Sequence, residues 1–514
     1  MREVGDRRRA GLAVWRWWAL VAVAFALLLG TWALGTPLGA APDEMGHTTK
    51  AFAAAHGELL GDAVAGRSPL NRDMHAPADL VSALDTACFS FFPETPASCT
   101  IADPSPAVIA VESNVSAYPP LWYAVIGGLT RMVGRAHSGR AYRLGSLLVA
   151  TALLAWAASL LARSGRRRAV LLLLGLPPMA VYMSMAANPT SFEIAGMLVL
   201  WSTAAWWLAA PAPPRLRQWL VASTAAAVIV LARPVSITWV AVAVAAYLLL
   251  ERRPLGPPRW SGIALGAAPM AVAVVASAAW SRYAAIGLAD DKFVLPGSTI
   301  DHLRTSFGHT SEMFVQTVGV LGWLDVRLPA AVIAIGTVFV VAIALAALVH
   351  GDRRMRLVVA GLAAVWVLYP MVYTTLARTP LNWQGRYNVP LLGGLVLLAA
   401  ELVRRGVLPR LVPRWPLFVG AGFVVMEVLA LHQTLRRYMV GASGNILLRE
   451  AAWHPLLNAW LLVVVNAALA TATVVVLARG PAAARVSAPS SPRPSDEGSG
   501  DDEASVVRAG LVAP

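Results

Sequence analysis

Residues 119–134 read PPLWYAVIGGLTRMVG (Pro119 to Gly134), and whether they cross a membrane decides the topology of the chain. The stretch is apolar enough for a span, yet it is short and carries Arg131 inside it. A helix rises about 1.5 Å per residue, so crossing a hydrocarbon core about 30 Å thick takes about 20 residues. Counting 119–134 as a span also puts the basic run Arg163 to Arg168 outside and reverses the charge bias of that loop. A helix lying in the outer interface returns the short basic loops to the cytoplasmic side, as the positive-inside rule requires. The segment is therefore read as a juxtamembrane helix.

The rest of the chain fits that frame. Of its 514 residues, 57% are hydrophobic and 14% charged, which excludes an ordinary soluble domain. Twelve apolar segments are expected to span: 15–35, 142–162, 169–187, 194–211, 218–233, 235–250, 261–280, 330–349, 357–376, 389–403, 415–432 and 455–478. The fold class is thus all-α and polytopic, a membrane domain over 1–479 with both termini cytoplasmic. Long outer loops fall at 36–141, 281–329, 377–388 and 433–454, the first of them carrying juxtamembrane helices. Residues 480–514, rich in Pro, Ser, Ala and acidic residues, read as a disordered cytoplasmic tail. Arg7-Arg8-Arg9 before the first apolar run mimics a signal peptide, but the run is long enough to span and reads as retained.

The net charge of +14 sits in short clusters between spans. It therefore reports topology, with membrane lipids as partners and no nucleic acid. The two cysteines, Cys88 and Cys99, share the first outer loop. They are either one disulfide on the oxidising side or two idle thiols, and the disulfide is the expectation carried forward.

On this topology the unusual polar residues gather on the outer side, and the span centres hold almost no ionisable groups. Asp43, Glu44 and His47 follow span one, in Ala41-Pro42-Asp43-Glu44-Met45-Gly46-His47. Proline followed by carboxylates is a helix start, so a solvated cap is the bland reading of Asp43 and Glu44. Trp122 and Tyr123 open the juxtamembrane helix, where interface anchoring is the bland role. Asn188-Pro189 and Glu193 lie between spans three and four, and Arg233 between five and six. Trp323 and Asp325 precede span eight; Gln384, Arg386 and Tyr387 precede span ten.

Together these stretches resemble the glycosyltransferases of the C-type (GT-C) fold, which include the protein O-mannosyltransferases and the lipid A aminoarabinose transferases. They look closer still to a bacterial family of polytopic proteins of unknown function thought to belong to that superfamily. The matching residues are Pro42-Asp43-Glu44 with His47, Pro119-Pro120-Leu121-Trp122-Tyr123, Asn188-Pro189, Gly319-Val320-Leu321-Gly322-Trp323-Leu324-Asp325 and Gln384-Gly385-Arg386-Tyr387. One departure stands at Thr190, where such families often place an acidic residue after Asn-Pro; Glu193 is the candidate substitute.

The resemblance implies an integral membrane glycosyltransferase. Outside the cytoplasm the donor would be a polyprenyl-phosphate sugar, and the acceptor an envelope glycan or lipid. An acceptor hydroxyl needs a base within hydrogen-bond reach, and Asp43 is the expected one. Glu44 is expected beside it in the catalytic pair, positioning the acceptor with His47 or helping hold a divalent metal; no cofactor is certain. A leaving lipid phosphate needs fixed positive charge, for which Arg386 comes first and Arg233 second. Trp122, Tyr123 and Trp323 would stack on sugar faces or line a lipid groove, while Asn188, Asp325, Gln384 and Tyr387 complete the substrate-binding set. Direct displacement would invert the anomeric centre. The alternatives are a transporter or flippase of lipid-linked glycans, or a non-catalytic envelope-assembly protein. A charged intramembrane pathway with paired broken helices would mark the transporter.

Overall fold

In the computed structural model, residues 2–65, 71–99, 103–253, 262, 264–284, 294, 296–379 and 383–481 are described. The expected disordered tail lies almost entirely outside the described residues. Mostly helical architecture follows directly from the apolar segments, because a bilayer offers backbone groups no other partners than their own helix.

Each of the twelve apolar segments has a helical counterpart, but they differ in length. Among the described residues eight helices are long and apolar enough to cross a membrane: Leu12–Gly35 of α1 (Arg2–Gly35), α5 (Gly139–Arg163), α7 (Thr190–Ala209), α13 (Ala330–His350), α14 (Arg353–Leu376), the continuous segment Gly385–Arg404, α17 (Trp415–Val440) and α18 (Ala459–Arg479). Shorter apolar helices follow: α8 (Leu216–Ala232), α9 (Ser236–Leu250) and the 16-residue α10 (Ala268–Tyr283). The segment expected as a single span at 169–187 is broken. A 3₁₀ stretch, Arg166–Gly175, meets α6 (Pro178–Met185) at 86°. Pro177 and Pro178 explain the corner, since neither can donate a backbone hydrogen bond. The broken backbone is tolerated because it is buried in protein on all sides. The helix expected to end at 432 runs on to Val440, so the loop after it is shorter than the sequence suggested.

The core lies around α7 and Gly385–Arg404, where 78% and 89% of the apolar window is buried; α13 and α14, at 22% and 17%, face outward. The two central elements are tied by the Trp201 indole, which donates to Pro390 O at 3.0 Å. An ionisable group does sit deep in the bundle, where the sequence led to an expectation of almost none. Glu427 of α17 is fully buried and accepts from the Trp32 indole at 2.9 Å.

The long first loop is built on the bundle's end. It holds α2 (Glu44–Ala55), the short α3 (Ala78–Ser82) and α4 (Leu121–Met132). At 12 residues α4 is too short to span, and it packs on α2. The all-α expectation misses a small ribbon, β1 (Arg72–Pro77) antiparallel to β2 (Val108–Ser113). A second, two-residue pair joins β3 (Val320–Leu321) to β4 (Val326–Arg327). Cys88 and Cys99 are disulfide-bonded. The closed loop is fastened by Arg437 at the end of α17, which is fully buried. It donates to Thr95 O, Phe89 O and Phe92 O and to the Asp325 carboxylate at 2.7 Å.

Candidate functional site

Residues 36–44 leave α1 and turn back beneath α2 and α4, and several polar side chains hold that turn. Glu44 is fully buried and receives both arms of Arg143, Nε to Oε1 and Nη2 to Oε2, each at 2.6 Å. Its carboxylate also accepts from Gly39 N at 2.9 Å and Ala187 N at 3.2 Å. Arg143, itself buried, reaches on to the carbonyls of Ala33, Thr36 and Pro37. Asn188 donates to Pro42 O at 3.0 Å, Tyr182 to Ala40 O at 3.0 Å, and the Trp323 indole to Gly39 O at 3.1 Å.

What this clamp holds is Asp43 in an unusual state. The residue precedes α2 with φ 60° and ψ 13°, in the left-handed region that non-glycine residues seldom occupy. Its side chain makes no capping bond to the helix, so the solvated-cap reading of Asp43 does not hold. The carboxylate turns instead to Arg386, whose Nη2 donates at 2.8 Å, and to the Asn114 amide at 3.3 Å.

Arg386 comes from the far end of the chain, in the 3₁₀ segment Gly385–Leu392. Gly385 lets this segment lie against α12 (Thr310–Gly319): a Cβ there would meet Met313 O at 2.3 Å and Thr317 N at 2.5 Å. The Arg386 side chain is 5% exposed, and among the described residues its Nε and Nη1 have no hydrogen-bond partner. It lies 5.1 Å from the Tyr387 ring centroid, and the Arg233 guanidinium lies 4.8 Å from the same ring. Arg233 is already engaged, by Glu193 at 2.7 Å and Thr190 at 2.9 Å. Glu193 is thus one turn inside α7, bound to Arg233 and to Ser236, and its carboxylate shares Arg233 Nη1 with the Thr190 hydroxyl.

His47 lies one turn beyond Asp43 and pairs its Nδ1 with Tyr123 OH at 2.8 Å. Burial pushes this imidazole down to about 3, with Arg233, Arg386 and Lys50 adding to the effect and Asp43 opposing it. Burial pushes the Asp43 carboxyl up, but Arg386, His47 and Asn114 outweigh it and hold the group below its usual value. Lys50 is fully buried, donates to Ser116 O and Tyr118 O, and is pushed down to about 7 by burial.

The sequence-predicted residues therefore divide. Asp43, His47, Arg233, Arg386 and Tyr387 come together, with Gln384 half-buried at the head of the Arg386 segment. Asn188 and Trp323 meet the 36–44 turn at its backbone; Asn188 Oδ1 also accepts from Thr190 N, and Trp323 packs edge-on to Phe91. Asp325 is held by Arg437 and by Trp323 N. Trp122 and Tyr123 are fully buried against Phe192 and His47, so neither presents a ring face for a sugar to stack on. Glu44 and His47 do not meet at a shared ligand position, since Glu44 is saturated by Arg143 and His47 Nδ1 by Tyr123. Among the described residues no group of three or more His, Cys, Asp or Glu side chains is placed to hold a metal ion. Sequence reasoning missed Arg143, Asn114 and Lys50. Arg143 carried a signal, a charge at the start of an apolar span; Asn114 showed only as the head of Asn-Val-Ser.

Residues 25–395 match the model of a family described as "Predicted membrane protein (DUF2142)", and the chain belongs to that family. No curated protein and no solved structure matches it. It is a multi-pass, all-α membrane protein.

Proposed function

We propose that this chain is a membrane glycosyltransferase that moves a sugar from a polyprenyl-phosphate donor to an envelope acceptor on the extracytoplasmic face. The observation that carries the reading is the Arg386 guanidinium, buried beside a carboxylate with Nε and Nη1 unpartnered. Buried charged donors without partners are costly, so a native structure that keeps them invites an anion to complete them. A phosphate monoanion or dianion matches that charge and geometry. Supporting it, Asp43 is held out of its helix cap and below its usual pKa, ready as a carboxylate at neutral pH.

In the reaction Asp43 takes the proton from the acceptor hydroxyl as that oxygen attacks the anomeric carbon. The bond from the anomeric carbon to the phosphate oxygen breaks, and the lipid phosphate leaves with the electron pair, held by Arg386. Before the donor arrives, Asp43 occupies one arm of Arg386; phosphate binding draws the guanidinium away and frees the base. Arg233 keeps its partners Glu193 and Thr190 and steadies Tyr387 from the opposite side of the ring. Glu44 and Arg143 fix the turn and touch no substrate, which makes them positioning residues.

The test is equilibrium binding of undecaprenyl phosphate to the purified full chain. Arg386→Lys keeps the charge and loses the planar fork, so affinity should fall roughly 10-fold, and Arg386→Ala should lose more. Unchanged affinity in Arg386→Ala would sink the assignment.

A further inference from the structure

Helices α7 and α8 touch closely near the Asp43 end, where a Cβ on Gly196 would meet Ile229 at 2.6 Å. Toward the opposite end of the bundle Trp207 of α7 still meets Trp219 of α8, ring centroids 4.7 Å apart, while space is left between these helices and α5. Two cavities open there, of about 290 and 380 Å³, and they share Trp156, Val199, Val221 and Ala225 as walls. Together they make one lengthwise groove. One end reaches Phe192 and Ile229, near Asp43, and the other is walled by Arg163 and Arg217. Leu220, Val221 and Val228 on its open side are 37%, 52% and 40% exposed, so the groove faces the bilayer laterally.

Several charges at that end of the bundle have partners. Arg253 pairs with Glu251, Arg404 and Arg405 with Glu401, and Arg166 with the carbonyl of Arg479. Arg163 and Arg217 have no carboxylate partner among the described residues. Arg163 is laid over Trp206, its guanidinium 4.8 Å from the ring centroid. Arg217 is in the first turn of α8, where the helix end also favours an anion. Gln218 beside it accepts from Arg215 N through Oε1, which leaves its amide nitrogen as a donor.

We infer that this groove is a binding site for one anionic glycerophospholipid, its phosphate on Arg163 and Arg217 and its acyl chains along α7 and α8. Charge complementarity at the mouth and apolar walls along the length both match that class, and the site is independent of the sugar-transfer reading. A zwitterionic lipid carries a cation that two unpaired arginines repel, and a free phosphate leaves the apolar walls empty.

The experiment is native mass spectrometry of the detergent-purified full chain, titrated with dioleoylphosphatidylglycerol, dioleoylphosphatidylcholine or inorganic phosphate. Phosphatidylglycerol should give a tighter first adduct than phosphatidylcholine, and inorganic phosphate should give none. Arg163→Gln with Arg217→Gln, both at exposed positions, should weaken the phosphatidylglycerol adduct roughly 30-fold and leave phosphatidylcholine unchanged. Ala225→Trp fills the groove without changing charge and should remove the first adduct of both lipids. Wild-type phosphatidylglycerol binding in either variant would reduce the groove to ordinary boundary lipid and overturn the inference. Binding of inorganic phosphate as tightly as the lipid would overturn it equally.

Discussion

Asp43 and Glu44 are neighbours in sequence, each bound to an arginine, and the two pairs are built differently. Glu44 and Arg143 use both arms of the guanidinium, two backbone N–H groups and three backbone carbonyls, and both side chains are almost fully buried. Asp43 and Arg386 share a single bond, the carboxylate is partly exposed, and two guanidinium nitrogens are left over. A saturated buried pair has no capacity for a ligand and serves the fold. An unsaturated pair, held open by its saturated neighbour, has capacity on both partners. Satisfaction of hydrogen bonds separates the two roles where residue type does not.

The contrast is broken most directly by exchanging a carboxylate for an amide on each side. Asp43→Asn should lower sugar transfer from a polyprenyl-phosphate donor 10²–10⁴-fold, about 3–5 kcal/mol of barrier, with the thermal transition unchanged. Wild-type turnover in that variant would return Asp43 to a local structural role. Removing Arg143 by Arg143→Met leaves the Glu44 carboxylate buried and unpaired, which typically costs about 3–5 kcal/mol. Unfolding in detergent should register that loss, and a variant as stable as wild type would mean Glu44 reaches water after all.

A smaller effect sharpens the comparison from the side of His47. Its proton affinity is depressed in the folded state, so the unfolded chain binds the proton first as pH falls. The stability tied to its neutral form is whole above about pH 6.5 and declines as pH drops toward 3, by up to about 1.4 kcal/mol per unit. His47→Gln should flatten that part of the pH–stability curve. If the slope between pH 6 and 4 is the same in both proteins, His47 is not the group that titrates.

Much of this was legible because the physics is local. Span order follows from apolar runs, and the juxtamembrane role of 119–134 from its length and the charges after it. The 86° corner was signalled by Pro177-Pro178, but a hydropathy window averages across it. The β1–β2 ribbon was hidden because Val108-Ile109-Ala110-Val111 is apolar yet largely exposed, with no buried face to print a period. In the site, residue types pointed to Asp43 and Arg386, but not to which carboxylate would be saturated. That depends on Arg143, whose partners lie across the turn and not along the chain.

The two pairs also differ in when they can form. Glu44 and Arg143 stand 99 residues apart, and Asp43 and Arg386 stand 343 apart. At roughly 5–20 residues per second, a ribosome reaches Arg143 about 5–20 s after Glu44, but Arg386 only about 20–70 s after Asp43. The clamp can therefore close on the nascent chain while most of the bundle is unmade, and Asp43 waits in its left-handed turn for a partner from the tenth apolar segment. Chains truncated before Gly385 would carry the finished turn without the arginine, and a stalled ribosome would hold an assembled but powerless half-site.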